Sequence, residues 1–203
     1  MMSVALATED EISEAVGEKL ILEYPVFADT SIMRLRKNGS GYLFRRMNSW
    51  RSMAHYQVMI VLTDLDQLAC PLVLLNKWIS GNQKLPQNLL LRIAVREIES
   101  WLLADHVALI KLFGKEATFP NNPDTLQDPK QHLLKLAKNA SRSVKDDLVA
   151  QQGAVSIQGI GYNRRLVNWV KEEWCPKRAA SLSPSLTRAR TAICDAANRA
   201  MQA

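Results

Sequence analysis

Residues 56–66 read YQVMIVLTDLD, and this stretch decides the fold class of the chain. Positions 56–63 are nearly all apolar, which is typical of a strand covered on both faces inside a parallel sheet. The run ends directly in Asp64-Leu65-Asp66. Open α/β sheets carry their functional residues where strands end at the carboxyl edge. The stretch therefore predicts a buried central strand that leads into an acidic turn at the functional edge of a sheet.

Two more strands and a series of helices are predicted around this strand. Residues 4–8 form a short apolar run that leads into Glu9-Asp10-Glu11 and a helical pattern, and residues 89–95 read LLLRIAV. Helical periodicity predicts further helices over 42–55, 71–80, 96–113, 129–140, 162–174 and 185–201. This alternation favours an α/β fold with a mostly parallel central sheet flanked by helices and an extra helical C-terminal part. We expect an α/β core over residues 1–115 and a mostly helical extension over 116–203, packed on the same domain.

The bulk composition fits a single globular domain. The chain has 203 residues, of which 47% are hydrophobic and 23% are charged. No apolar run approaches the eighteen or so residues of a membrane span, and the N-terminus turns acidic without a basic n-region or a small-residue cleavage site. We therefore expect a cytoplasmic protein with no membrane partner.

Cysteine and histidine offer no pattern that suits a disulfide framework or a zinc site. The three cysteines are far apart and form no C-x-x-C pair, and the three histidines are equally scattered. The residues concerned are Cys70, Cys175, Cys194, His55, His106 and His132. We interpret the thiols as structural residues.

Basic residues cluster in a way that points to a polyanionic partner. The net charge is +6, and residues 30–63 contain six lysines and arginines but no acid. Aromatic residues Tyr42, Phe44 and Trp50 lie among them, which is the composition of a nucleic-acid surface. The alternative is a solvated basic face with aromatic rings buried in the core. The predicted nucleic-acid contacts are Arg34, Arg36, Lys37, Arg45, Arg46, Arg92 and Arg96.

Two predicted strands end in carboxylates, and this combination carries the chemistry. Glu9 follows the first strand, and Asp64 and Asp66 follow the strand at 56–63. A cluster of such hard oxygen ligands suits Mg²⁺, which keeps several waters and takes few protein carboxylates. For Glu9 alone, the ordinary preference of acids for a helix N-terminus, through capping and the helix dipole, is the better explanation. Together the three acids predict a site for Mg²⁺ or Mn²⁺.

The order strand–Glu–helix followed by strand–Asp-x-Asp resembles the Toprim fold of topoisomerases, primases and OLD-type nucleases. Glu9 stands at the position of the family glutamate, whereas Asp10 stands where a glycine is expected. A closer resemblance is to an uncharacterised Toprim-like bacterial family that is often encoded beside ATPases in defence-type gene clusters. It is carried by residues 62–66, by residues 92–105, in which R-E-I-E-S-W-L-L-A-D is the most specific string, and by residues 179–188.

The resemblance implies roles for the acids. In Toprim enzymes the glutamate acts as general acid or base or as a metal ligand, which falls on Glu9, and the Asp-x-Asp pair holds magnesium, which falls on Asp64 and Asp66. We add Glu99 as a candidate ligand of a second metal. The resemblance further implies that Glu9, Asp64 and Asp66 are catalytic, and that an ATPase partner protein activates the chain in antiviral defence.

The junction after the third predicted strand has two interpretations. Arg92 and Arg96 could bind phosphate while Glu97 and Glu99 serve the metal. The four could instead form an ion-pair network that stiffens the junction. Trp101 is interpreted as a core residue, and Arg188 either reaches back to the site or pairs structurally.

Two functions follow, and the sequence leaves both open. The first is a magnesium-dependent, Toprim-like nuclease or phosphodiester-processing enzyme that acts on DNA or RNA. The alternative is a non-catalytic nucleotide- or metal-binding regulatory subunit, which the departure at Asp10 favours. Self-association into a homo-oligomer also stays open.

Overall fold

A four-stranded, all-parallel sheet forms the centre of the protein. The structure is a computed structural model that describes residues 3–36, 39–79 and 84–202. The strands are β1 (Val4–Ala7), β2 (Ile32–Arg34), β3 (Val58–Asp64) and β4 (Leu89–Ala94). They lie in the order β2-β1-β3-β4, so that β1 and β3 are central and β4 is an edge strand. The predicted α/β fold with a parallel central sheet flanked by helices is confirmed.

Helices cover both faces of the sheet and build the C-terminal part. They are α1 (Glu11–Ile21), α2 (Ser40–Arg45), α3 (Met47–Met53), α4 (Pro71–Trp78), α5 (Ile98–Leu103), α6 (His106–Phe113), α7 (Pro129–Lys138), α8 (Arg142–Leu148), α9 (Tyr162–Glu172), α10 (Pro176–Ala179) and α11 (Pro184–Gln202). Short 3₁₀ turns occur at Pro25–Phe27 and Pro123–Thr125. No helix in the described ranges is both long and apolar enough to cross a membrane.

Alternation along β3 divides the core into two layers. Val58, Ile60 and Leu62 point to the layer that contains α1 and the C-terminal helices, whereas Met59 and Val61 point to the layer formed by α2, α3 and α4. Burial on both faces explains why β3 needs a continuous apolar sequence. The larger layer joins residues from both 1–115 and 116–203. The proposed boundary near residue 115 stays a prediction.

Two long helices predicted from periodicity are each split in the structure. The helix expected over 96–113 breaks into α5 and α6 at Asp105, whose side chain caps α6 by accepting from the Ala108 amide at 3.3 Å. The helix expected over 42–55 breaks into α2 and α3 at Arg46. The sequence analysis also missed β2, α8 and α10, because three to seven residues give too little periodicity to identify an element.

Candidate active site

The carboxyl edge of the two central strands brings the predicted acids together. Because β1 and β3 pair in parallel, with Ala7 opposite Val61, the residues that follow them emerge at the same edge. Glu9 comes two residues after β1, and Asp64 is the last residue of β3. The Glu9 carboxylate accepts a hydrogen bond from the Asp64 backbone amide at 3.1 Å, which fixes the two strand ends to each other.

Glu9 is positioned by β3 as well as by its own strand. Its Oε1 also accepts from the buried Thr63 hydroxyl at 2.5 Å. Burial raises the pKa of the Glu9 carboxyl, the bonds from Thr63 and the Asp64 amide act against this rise, and the charges of Asp66 and Asp10 add to it. Asp10 uses its own carboxylate to cap α1 through the Ser13 amide at 2.7 Å. The site therefore has a partly buried glutamate held in one orientation.

Asp64 lies at the centre of the negative charge. Burial raises its pKa well above the usual range, and the carboxylates of Glu99, Glu9, Asp10 and Asp66 raise the pKa further. No arginine or lysine in the described ranges forms an ion pair with Glu9, Asp10, Asp64 or Asp66. Carboxylates from several chain segments thus repel one another at a single strand end.

The Asp-x-Asp turn is held against the end of β4. The backbone amides of Leu65 and Asp66 both donate to the Arg96 carbonyl at 2.9 Å. The Arg96 guanidinium returns two bonds, to the carbonyls of Asp66 (3.2 Å) and Leu68 (2.6 Å). Asp66 adopts φ 51, a left-handed conformation that aspartate tolerates better than most residues. The turn leaves the Asp66 side chain exposed while Asp64 is half-buried.

Glu99 is a buried acid that the C-terminal part helps to hold. It is 4% exposed, accepts from the Tyr162 hydroxyl at 2.8 Å, and lies 3.9 Å from the Lys130 ammonium. Burial raises the pKa of Glu99 to about 7, although Lys130 and the Tyr162 hydrogen bond act in the opposite direction. After burial, the charge of Glu99 is the largest cause of the raised pKa of Asp64. Glu99 therefore belongs to the same electrostatic cluster.

The donor set suits a hard divalent cation, although its side chains are not gathered into a ligand cage. Among the residues that the structure describes, no group of three or more His, Cys, Asp or Glu side chains is close enough to hold a metal ion. The four predicted ligands all carry carboxylate oxygens, which Mg²⁺ prefers, and their mutual repulsion is the electrostatic condition that a cation relieves. The assignment of Glu9, Asp64, Asp66 and Glu99 to a metal stays a prediction.

The contacts at the junction after β4 match neither of the two interpretations of the sequence completely. Arg96 binds backbone carbonyls of the Asp-x-Asp turn, and Glu97 accepts from the Lys130 amide at 3.0 Å. The Nε of Arg92 is buried and has no hydrogen-bond partner. The expected ion-pair network between these arginines and Glu97 or Glu99 does not form within the described residues, because each group is directed to a different element.

The predicted nucleic-acid contacts fall into separate groups. Arg34 pairs with Glu18, and Arg36 pairs with Glu11 (3.0 Å) and Glu14 (3.6 Å), so both charges are offset by α1. Arg45 and Arg46 are exposed at the break between α2 and α3. Lys37 lies outside the described residues. The assignment of all of these residues to nucleic acid stays a prediction.

The aromatic residues of this basic segment divide between core and surface. Trp50 is 2% exposed and donates from its indole nitrogen to the Leu43 carbonyl at 3.0 Å, so it is a core residue. Tyr42 meets it edge-on at 5.9 Å between ring centroids. Phe44 is 39% exposed and lies 5.8 Å from the Trp78 ring. Of these three aromatic residues, the exposed Phe44 and the half-buried Tyr42 present ring surface to solvent.

The sequence analysis missed three residues that orient the acids. Thr63 could have been found, because it is the one hydroxyl residue in the otherwise apolar run that ends at Asp64. Lys130 and Tyr162 gave no signal, since they lie 31 and 63 positions beyond Glu99 and reach it only through the packing of α7 and α9. Trp101, by contrast, is a core residue as expected, at 0% exposure.

Comparisons with family models, curated proteins and solved structures each found no match for this chain.

Proposed function

We propose that the protein is a magnesium-dependent phosphodiester-processing enzyme of Toprim-like type, with DNA or RNA as its substrate. One observation carries the proposal. Two central parallel strands lead into carboxylates at one sheet edge, where the Asp64 backbone amide donates to the Glu9 carboxylate, and the pKa of Asp64 is raised by burial and by four surrounding acids. Such a concentration of like charge at a strand end is typical of a functional site.

Asp64 and Asp66, with Glu9, are the residues that would hold the cation. When bound, Mg²⁺ would neutralise charge that develops on the phosphate oxygens and lower the pKa of a coordinated water. The turn that carries Asp66 is fixed to β4 by Arg96, so the two aspartates are presented from a supported backbone. Their role in this chain is to orient a divalent cation at the sheet edge.

Glu9 is the residue best placed to exchange a proton. Burial raises the pKa of Glu9, so it accepts a proton more readily than an ordinary glutamate, which favours a role as general acid or base. Thr63 and the Asp64 amide keep the Glu9 carboxylate at the strand end. The role as effector of an ATPase-linked defence system rests on the sequence resemblance alone.

Cleavage of plasmid DNA and of transfer RNA tests the proposal. Wild type is incubated with Mg²⁺, Mn²⁺ or EDTA, beside Asp64→Asn and the control Asp195→Asn, which removes an exposed acid from α11. We expect metal-dependent cleavage by wild type and by the control, and at least a hundredfold loss in Asp64→Asn. Cleavage by Asp64→Asn at the wild-type rate would refute the assignment.

A thermal shift separates the enzyme from the regulatory alternative. Mg²⁺ at about ten times its Kd should stabilise wild type by ~1.4 kcal/mol and leave Asp64→Asn unchanged. Stabilisation without cleavage of either substrate favours a metal-binding regulatory subunit. If Mg²⁺ neither stabilises wild type nor supports cleavage, a divalent cation at Asp64 is excluded under these conditions.

A further inference from the structure

A small cavity opens at the edge of the sheet, beside β4. It has a volume of about 140 Å³ and is lined by residues of β4, α4 and α11, namely Pro71, Leu75, Leu91, Arg92, Ile93, Ser185, Arg188 and Ala189. Most of these side chains are apolar. Among the described residues that line it, Arg92 and Arg188 are the only charged ones, and both are cationic.

Both arginines line the cavity, and its described lining contains no carboxylate. The Arg92 Nε is buried and has no hydrogen-bond partner, and neither guanidinium forms an ion pair within the described residues. Burial lowers the pKa of Arg92, and the charge of Arg188 lowers it further, although an arginine stays protonated at neutral pH. The buried Nε of Arg92 lacks an acceptor within the described residues and lies near a second cation, the exposed Arg188, and an anion bound at this position would remove both costs.

At two other arginines of this protein, Arg178 and Arg190, carboxylates offset the charge. Arg178 binds the buried Asp105, and Arg190 makes two bonds to Glu23 at 2.8 and 3.0 Å. The start of α11 is also already occupied, because Asp124 accepts from the Ser185 amide at 2.8 Å. The unpartnered guanidinium pair, and not the helix end, is therefore the feature that calls for a ligand.

We propose that the cavity between β4 and α11 is a binding site for a terminal phosphate group, held by Arg92 and Arg188. A phosphate monoester carries a charge of about −1.5 to −2 near pH 7, which matches two guanidinium groups better than an internal phosphodiester with one charge. Guanidinium groups bind phosphate oxygens through paired, charge-assisted hydrogen bonds. The cavity is smaller than the roughly 300 Å³ of pockets that enclose a drug-sized ligand, so it admits a phosphate and leaves the attached group outside.

The site is separate from the carboxylates and does not depend on the proposed phosphodiester chemistry. Arg92 lies two residues before Ala94, the residue that pairs with Asp64. The cavity and the acidic edge are therefore supported by different positions along the same strand. The proposal can therefore be tested in EDTA, where the metal-dependent reaction is silent. An Asp64→Asn protein should bind phosphate as wild type does.

Binding of end-phosphorylated oligonucleotides tests the site. One short single-stranded sequence is prepared with a 5′-phosphate, with a 3′-phosphate or with hydroxyls at both ends, and its binding is measured by fluorescence anisotropy in EDTA. Wild type should prefer a phosphorylated end by about tenfold, the effect of one charged hydrogen-bonding group. Inorganic phosphate should compete with the phosphorylated end, and stronger competition by a mononucleotide would identify a nucleotide as the better source of the group.

Variants of the two arginines give the decisive outcomes. Arg188→Gln alters an exposed side chain and should abolish the preference, as should Arg92→Met, which keeps the apolar stem in the cavity. The control Arg142→Gln removes one positive charge from α8, where the side chain is 95% exposed, and should keep the preference. Equal binding of phosphorylated and unphosphorylated ends by wild type, or a preference that survives in Arg188→Gln, would overturn the proposal. So would the absence of any binding of inorganic phosphate by calorimetry.

Discussion

Asp105 is fully buried and Asp64 is half-buried, and the protein treats the two acids in opposite ways. Asp105 is 0% exposed and accepts four hydrogen bonds, two from Arg178 at 2.9 and 2.8 Å, one from the Cys175 amide at 2.7 Å and one from the Ala108 amide at 3.3 Å. Burial raises the pKa of Asp64, and the charges of four other carboxylates raise it further. A buried acid that is fully paired stabilises a fold, whereas one surrounded by like charge is maintained at a cost in stability.

Removing the paired acid should have the largest effect. We expect Asp105→Ala to lower the free energy of unfolding by about 3 kcal/mol, because Arg178 and two backbone amides lose their acceptor. Urea denaturation in EDTA measures this change. The control Asp195→Ala, at an exposed position of α11, should stay within about 0.5 kcal/mol of wild type. A change this small in Asp105→Ala would show that the paired Asp105 does not stabilise the fold.

Glu99 is the intermediate case, because Lys130 and the Tyr162 hydrogen bond offset only part of the cost of burying its charge. Its pKa is raised from 4.5 to about 7, so the folded protein retains a proton that the unfolded chain releases. The stabilisation that this proton gives is complete below about pH 4.5 and is lost as the pH rises through 7. Between these limits, the free energy of unfolding of wild type should fall by on the order of 2 kcal/mol relative to Glu99→Gln.

The pH series is measured in EDTA so that no divalent cation contributes. Other buried acids titrate in both proteins, and the difference between wild type and Glu99→Gln therefore isolates this carboxyl. Parallel curves for the two proteins would show that Tyr162 and Lys130 compensate the charge of Glu99 completely. Glu99 would then be a fully paired acid like Asp105.

Removing the repelled acid should have the smallest effect on stability, and with the opposite sign. In EDTA, Asp64→Asn should leave the free energy of unfolding unchanged or raise it by up to about 1 kcal/mol, because repulsion from four acids is relieved. Thermal and urea denaturation would both detect the difference from Asp105→Ala. A loss of 2 kcal/mol or more in Asp64→Asn would show that Asp64 has a structural role.

Much of the fold could be predicted because the signals are local. The apolar run before Asp64 can be stable only when both of its faces are covered, and that requirement predicts a central parallel strand. The neighbouring strands β1 and β4 were found within one residue of their observed ends. The helix breaks at Arg46 and Asp105 were missed, because apolar spacing continues across them and only the capping contact at Asp105 reveals the second break.

The sequence by itself determined the residue types at the strand ends, and with them the chemistry available to the site. Parallel pairing requires successive strands to end at one edge, so Glu9 and Asp64 were predictable neighbours. Only the tertiary structure decided which charges are compensated. Tyr162 donates a hydrogen bond to Glu99 across 63 positions of the chain, and Arg178 donates to Asp105 across 73 positions. Arg188 lines the same cavity as Arg92, which lies 96 positions before it. Contacts at such separations depend on how helices pack, which no local pattern of residues specifies.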